Sequence, residues 1–200
     1  MAQIGLKFPI IAPVAAYTPG AYPTIEKGKA FVLGKLIAAD REVKFSKNPL
    51  YGDDEVAENL AIFEEGTLKL NVDDMTLEAQ SKMFGHTYTE ADSESGNPEE
   101  LTKGGNDISP YMAVGYYKTL FKNNKRLYEA TIIYKAKFDP PKESAKTKEK
   151  SISWGTYESE GTFEPLSGFD KEPYEKVARF STEAEAKAWL NKFFNMESEG

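Results

Sequence analysis

The chain contains no cysteine and a single histidine, His86, among its 200 residues. The first absence excludes disulfides, thiolate metal sites and cysteine nucleophiles, so stability has to come from packing and association; it also suits a protein made in a reducing cytosol. The second removes multi-histidine metal centres and leaves His86 as the only histidine available to a Ser-His-Asp arrangement. His86 follows Gly85 at the end of a predicted helix, where it reads as a partner of the helix C-terminus rather than as a base.

Long apolar runs are missing too, and none approaches the roughly 18–20 residues of a membrane-spanning helix. Lys7 followed by Phe8–Ala16 faintly resembles a secretory signal, but Pro9 and Pro13 break the apolar stretch and only one positive charge precedes it. Excess positive charge is lacking as well. With 25 basic and 32 acidic residues the formal charge is −7, which opposes the counterion release that drives nucleic-acid affinity, so any relation to DNA is expected to be repulsive.

The chemistry-bearing clusters have plain readings. Asp53-Asp54-Glu55, and Asp73-Asp74 with Glu78, lack the alternating oxygen ligands and glycine of a calcium loop and read as caps and solvated loop charge. Gly104-Gly105-Asn106-Asp107 follows a polar stretch instead of a strand and reads as a turn, not a phosphate loop. The basic run Lys142–Lys150 is interleaved with Glu143 and Glu149 and has no stacking aromatics beside it, so it reads as an exposed connection. No catalytic residue, cofactor or metal is assigned, and the chain is not expected to be an enzyme.

What is present is β pattern. Residues 1–27 carry Pro9, Pro13, Pro19 and Pro23 and are predicted to be an extended arm with no element longer than a short strand. Residues 29–44 read as a bent strand or strand pair around Gly34, and residues 45–65, with Pro49, Gly52 and the acidic group, as a long loop. Gly66–Val72 alternates as a half-buried strand. A short helix follows, capped by Asp73, Asp74 or Thr76, with Met75, Ala79 and Met83 on one face and Gly85 as its stop.

Residues 87–107 have little to bury and read as a mobile loop or hairpin tip. Tyr111–Phe121 and Arg126–Phe138 are predicted strands joined by the turn Lys122-Asn123-Asn124-Lys125, and Ser151–Phe163 resumes the alternation. Thr182–Asn195 is a predicted helix with Thr182 and Glu185 as a capping box and Ala186, Trp189, Leu190 and Phe193 as its apolar stripe. The element order predicts one mainly β (α+β) domain: an antiparallel sandwich or partial barrel with a short flanking helix and a C-terminal helix. Most strand aromatics are assigned to the core. Tyr111–Phe121, apolar on both faces, is what a sheet buried against a second subunit would show.

Several segments, in order, resemble the major tail protein (tail tube protein) family of siphophages. They are Gly5-Leu6-Lys7-Phe8-Pro9 with Ala12-Pro13, Leu50-Tyr51-Gly52-Asp53-Asp54 with Ala57-Glu58, and Gly66–Asp74 running into the helix and Gly85-His86-Thr87. Asn106–Tyr111, Ala145–Lys148 and Thr182–Leu190 continue the match, so it spans nearly the whole chain.

The resemblance implies a sandwich-like structural virion protein that self-assembles into stacked, hexameric rings, similar to the ring protein of type VI secretion, and conducts DNA to the host. It implies no catalytic residues. Implied partners are further copies of the chain, the tape measure protein, the tail terminator and the distal tail proteins, with DNA passing through unbound and no membrane involved. The implied location is the virion tail, with assembly in the host cytoplasm. A negative lumen would follow from repeating an acidic subunit around a channel. The inter-ring contact candidates are Phe45, Leu50, Tyr51, Val56, Leu60 and Ile62, apolar anchors in a polar segment too sparse to fold alone. The alternative is a soluble β-sandwich recognition module with the strand aromatics as its ligand platform; a hydrolase using paired carboxylates is a third class for which no pair can be assigned.

Overall fold

A computed structural model describes residues 2–52, 55–141 and 156–196, with the side chains at positions 2, 48–52 and 55–60 outside the description. Among the described residues the elements run β1 (Ala2–Pro13), β2 (Phe31–Val32), β3 (Leu36–Gly52), β4 (Glu55–Val72), α1 (Leu77–Phe84), β5 (Thr87–Thr89), β6 (Glu100–Thr102), β7 (Met112–Lys122), β8 (Lys125–Phe138), β9 (Tyr157–Phe163), β10 (Glu175–Phe180) and α2 (Glu183–Phe194). The fold is mainly β with two helices, as the element order predicts.

One antiparallel sheet has the order β2-β1-β7-β8-β9-β4-β3, and β10 joins it along β8. β8 is shared on that edge: residues 128–133 pair with β10, and residues 136–138 pair with β9. The change falls where Val114 faces Ile133 and Met112 faces Ala136, an extra residue in β8 that bends the strand. The sheet curls so that Ile11, Val114 and Ile133 share a core with Leu68, Leu70 and Val72 from its other end.

Both faces of the central strands are covered, which explains why Met112–Tyr117 is buried at every position. Met112, Val114 and Tyr116 face the core closed by α1 and β4, whereas Ala113 and Tyr117 face a second core closed by Ala186, Leu190 and Phe194 of α2. The two-faced apolar pattern of residues 112–117 is therefore satisfied within the chain rather than by a second subunit. Gly115 marks the closest approach of α2, since a Cβ there would sit 2.5 Å from the Phe194 ring and 3.0 Å from Leu190.

Local signals placed the helices well. Thr76 Oγ1 accepts from the Ala79 N–H, and Gly85, with φ of +76°, closes α1 in the left-handed region. α2 has the reciprocal Thr182–Glu185 capping box and ends on Asn195. Its apolar stripe is shifted by one residue at the end: Phe194 is fully buried, while Trp189 and Phe193 are partly covered. Asn123 and Asn124, both at positive φ, make the predicted turn between β7 and β8. Residues 87–107 form the small β5–β6 hairpin.

Three readings need correction. Within the predicted arm, β1 is a 12-residue strand paired with β7 along its length. Pro9 is tolerated because it falls in an irregularity between Lys7 and Ile10, where the ladder asks for no donor. Residues 45–65 are not a loop but the distal parts of β3 and β4, paired from Phe45↔Phe63 to Gly52↔Glu55. Pro49 fits there because β3 is an edge strand, whose outer side needs no N–H. Around Gly34 the strand pair splits: β2 joins β1, and β3 joins β4. The basic run at 142–150, and Ile152 and Trp154 of the last predicted strand, lie outside the described residues.

Candidate functional site

The β3–β4 hairpin outruns the sheet that supports it. β9 pairs with β4 only from Gly66 to Val72, so beyond Lys44 and Glu65 the hairpin is a ribbon of two strands with no third strand beside it among the described residues. Eight paired positions, from Phe45↔Phe63 to Gly52↔Glu55, correspond to roughly 27 Å of projection. A register shift between Lys44 and Phe45 sits where this support ends.

The ribbon is anchored at its root by aromatic packing. Phe63 lies 5.4 Å from Tyr174 and 6.3 Å from Phe163, and Phe45 meets it edge-on at 5.9 Å. Beside that root two apolar side chains are half open to solvent: Phe45 is 47% exposed and Ile62 50%. The register places positions 50, 60 and 62 on one face of the ribbon, through the pairs Ser46↔Ile62, Asn48↔Leu60 and Leu50↔Glu58. Tyr51 and Val56 pair beyond a second irregularity. All six contact candidates therefore lie on one projecting element. The side chains of Leu50, Tyr51, Val56 and Leu60 lie outside the described residues, as do Asp53 and Asp54 altogether.

The polar candidates resolve into local structure. His86 Nδ1 lies 2.7 Å from Asp107 Oδ2, and the Ser81 hydroxyl donates to the His86 carbonyl, so the pair ties α1 to the turn at 104–107. The Gly104 N–H and then His86 hold the Asp107 carboxyl below its ordinary range. Asp73 Oδ1 accepts from the Lys35 N–H and Asp74 Oδ1 from the Met75 N–H, while Glu78 pairs with Lys82 at 2.7 Å. Among the described residues no group of three or more His, Asp or Glu side chains converges as a metal site, and no helix is long and apolar enough to cross a membrane.

Two surface features escaped the sequence reading. Glu129, almost fully buried, takes Lys118 at 2.7 Å and Arg179 at 2.6 Å; burial alone pushes its carboxyl up, and the two cations outweigh burial to leave it below its ordinary range. Arg179 belongs to β10, a strand of six residues with no strong alternation to announce it.

The second feature is a cleft of about 510 Å³ between β1, the β2–β3 corner and the start of α2, floored by Leu6, Phe8 and Leu36 and rimmed by Lys7, Lys35 and Lys187. Within it the Tyr117 hydroxyl donates to Glu183; burial first, and then this bond, raises the tyrosine above its ordinary range. The bond, together with Lys7 at 3.4 Å, lowers Glu183.

Of the strand aromatics, Tyr116, Tyr117, Tyr134 and Phe138 are buried, Tyr128 and Tyr157 are partly buried against the two cores, and Tyr111 and Phe121 stay about 40% exposed; Trp154 lies outside the described residues. A smaller cleft of about 350 Å³ beside α2 gathers Tyr22, Tyr134, Trp189 and Phe193 with Lys176 and Lys192. Comparison of the sequence with protein-family models and with curated proteins finds no match.

Proposed function

We propose that the chain is a tail-tube subunit of a long-tailed bacteriophage, a structural protein that assembles with copies of itself into stacked, hexameric rings. The observation that carries this reading, beside the ordered resemblance in the sequence, is the projecting hairpin. A two-stranded ribbon on its own is at best marginally stable in water, and this one carries half-exposed Phe45 and Ile62 beyond the last supporting strand. Such an element gains its stability by lying against another molecule, and a head-to-tail contact with the next copy propagates as a polymer.

The acidic balance fits a conduit, since a subunit carrying −7 repeated around a channel repels DNA. In this reading the partners are further copies, the tape measure, terminator and distal tail proteins, and the site of action is the virion tail. Electron microscopy of the purified, concentrated chain tests it: rings or tubes are expected, and uniform monomers at every concentration overturn it.

The aromatic cleft beside α2 is the one feature that favours a recognition module instead. On that reading Trp189→Ala would remove ligand binding, whereas on ours it leaves polymerisation intact.

A further inference from the structure

We propose that the cleft beside α2 binds a small planar aromatic anion, its ring held among Tyr22, Tyr134, Trp189 and Phe193 and its charge met by Lys176 and Lys192. The inference is independent of self-assembly, since none of these residues belongs to the β3–β4 hairpin.

Three walls follow from register and helix spacing. Lys176 pairs with Ile132 across β10 and β8, so their side chains leave the same face of the sheet, and Tyr134, two residues on from Ile132, leaves it too. α2 shares a core with Ile132 and Tyr134 through Ala186, Leu190 and Phe194. Trp189 and Phe193, four residues apart on one flank of that helix, overlook the cleft, and Lys192 stands beside them.

The fourth ring is fixed from a neighbouring loop. The Gly20 N–H donates to the Ser167 carbonyl at 2.9 Å, and the Tyr17 hydroxyl donates to the same carbonyl at 3.0 Å. The two segments meet so closely that a Cβ on Gly168 would sit 2.5 Å from the Gly20 nitrogen. Held this way, the Tyr22 ring lies 5.0 Å from those of Tyr134 and Phe169, yet 51% of the residue faces solvent. An aromatic side chain fixed in place and left uncovered takes a ligand with little further loss of conformational freedom.

Size and charge name the occupant. A volume of about 350 Å³ is at the lower end for small-molecule sites. The Tyr134 and Phe193 rings are 5.8 Å apart and inclined at 56°, which leaves a face and an edge for contact with a flat ring. No carboxylate lines the cleft, and among the described residues neither Lys176 nor Lys192 forms a salt bridge. Burial first, and then Tyr22 beside it, raises the Tyr134 hydroxyl above its ordinary range, so it stays protonated and adds no negative charge. Two ammonium groups beside an apolar floor attract an aromatic anion and repel an aromatic cation, while an uncharged ring keeps the stacking alone.

Titration calorimetry of the intact chain with naphthoate, naphthylmethanol and naphthylmethylammonium, probes that share a ring system and differ in charge, tests the site. One saturable site per chain is expected for naphthoate, about tenfold tighter or more than for the alcohol, and no binding of the ammonium. Lys176→Gln with Lys192→Gln, both exposed positions, should reduce naphthoate to the affinity of the alcohol and leave the alcohol's own affinity and the melting temperature unchanged. Trp189→Ala should weaken both by about tenfold or more. Naphthoate that finds no saturable site, binds no better than the alcohol, or ignores the lysine pair overturns the inference. If Trp189→Ala unfolds the chain, the lysine pair decides alone, because those side chains lie outside both cores. Polymerisation is a separate readout: a chain that forms tubes and takes no naphthoate loses this inference and keeps the self-assembly reading, and the reverse result does the opposite.

Discussion

At the scale of single residues, the stability of the open side of the sheet turns on Glu129. Its carboxylate is taken out of water between Lys118 on β7 and Arg179 on β10, so it links three neighbouring strands. Glu129→Gln leaves both cations without their partner and is expected to cost about 1–2 kcal/mol, less than a wholly buried pair because Arg179 stays half in solvent. The direction of the pH effect follows from the lowered carboxyl. A group whose folded pKa lies below its unfolded one stabilises the fold above the unfolded value, and that contribution is lost as pH falls through the folded value. The denaturation midpoints of wild type and Glu129→Gln should therefore differ at pH 7 and converge below the ordinary carboxylate range. A gap that stays constant to pH 3 contradicts the assignment.

At the scale of elements, α2 is a structural lid over β1, β7 and β8, and Gly115 is the seat on which it rests. Gly115→Val pushes against Phe194, Ile10 and Leu190 and is expected to cost about 1–3 kcal/mol by overpacking. Removing residues 182–200 should lower the melting temperature far more than removing residues 197–200, since Leu190 and Phe194 each contribute roughly 1.5–3 kcal/mol by burial. Equal melting temperatures for the two truncations would show α2 to be undocked.

The sequence made α2 legible because capping and a 3.6-residue stripe are local signals; the same holds for α1 and for the β7–β8 turn at Asn123-Asn124. It hid the hairpin for a physical reason. At its described positions, 45–47 and 61–64, the ribbon has no buried side chain to impose strict alternation, and Pro49 and Gly52 read as breakers although an edge strand tolerates them. The apolar residues in it were visible as anchors, but their shared projection depends on where β9 stops pairing, which is a long-range fact. The cleft was invisible for the same reason: Lys7, Lys35 and Lys187 come from three distant parts of the chain.

At the scale of the whole molecule, the sheet closes both cores within one chain, and among the described residues no third strand pairs with the outer part of the β3–β4 hairpin. The chain is also acidic overall, so duplex DNA is expected not to bind at physiological salt, and a salt-sensitive gel shift at micromolar protein would contradict this. Because Phe63 belongs to the core through Phe163 and Tyr174, the part that can be removed without harm runs from Ser46 to Ala61. Loop closure depends weakly on length, so a short Gly/Ser connection in its place should leave the sheet folded. Electron microscopy and circular dichroism of this variant beside the intact chain test the account most directly. Tubes from the intact chain, and a folded variant that forms none, are the predicted result; a folded variant that still forms tubes would contradict it.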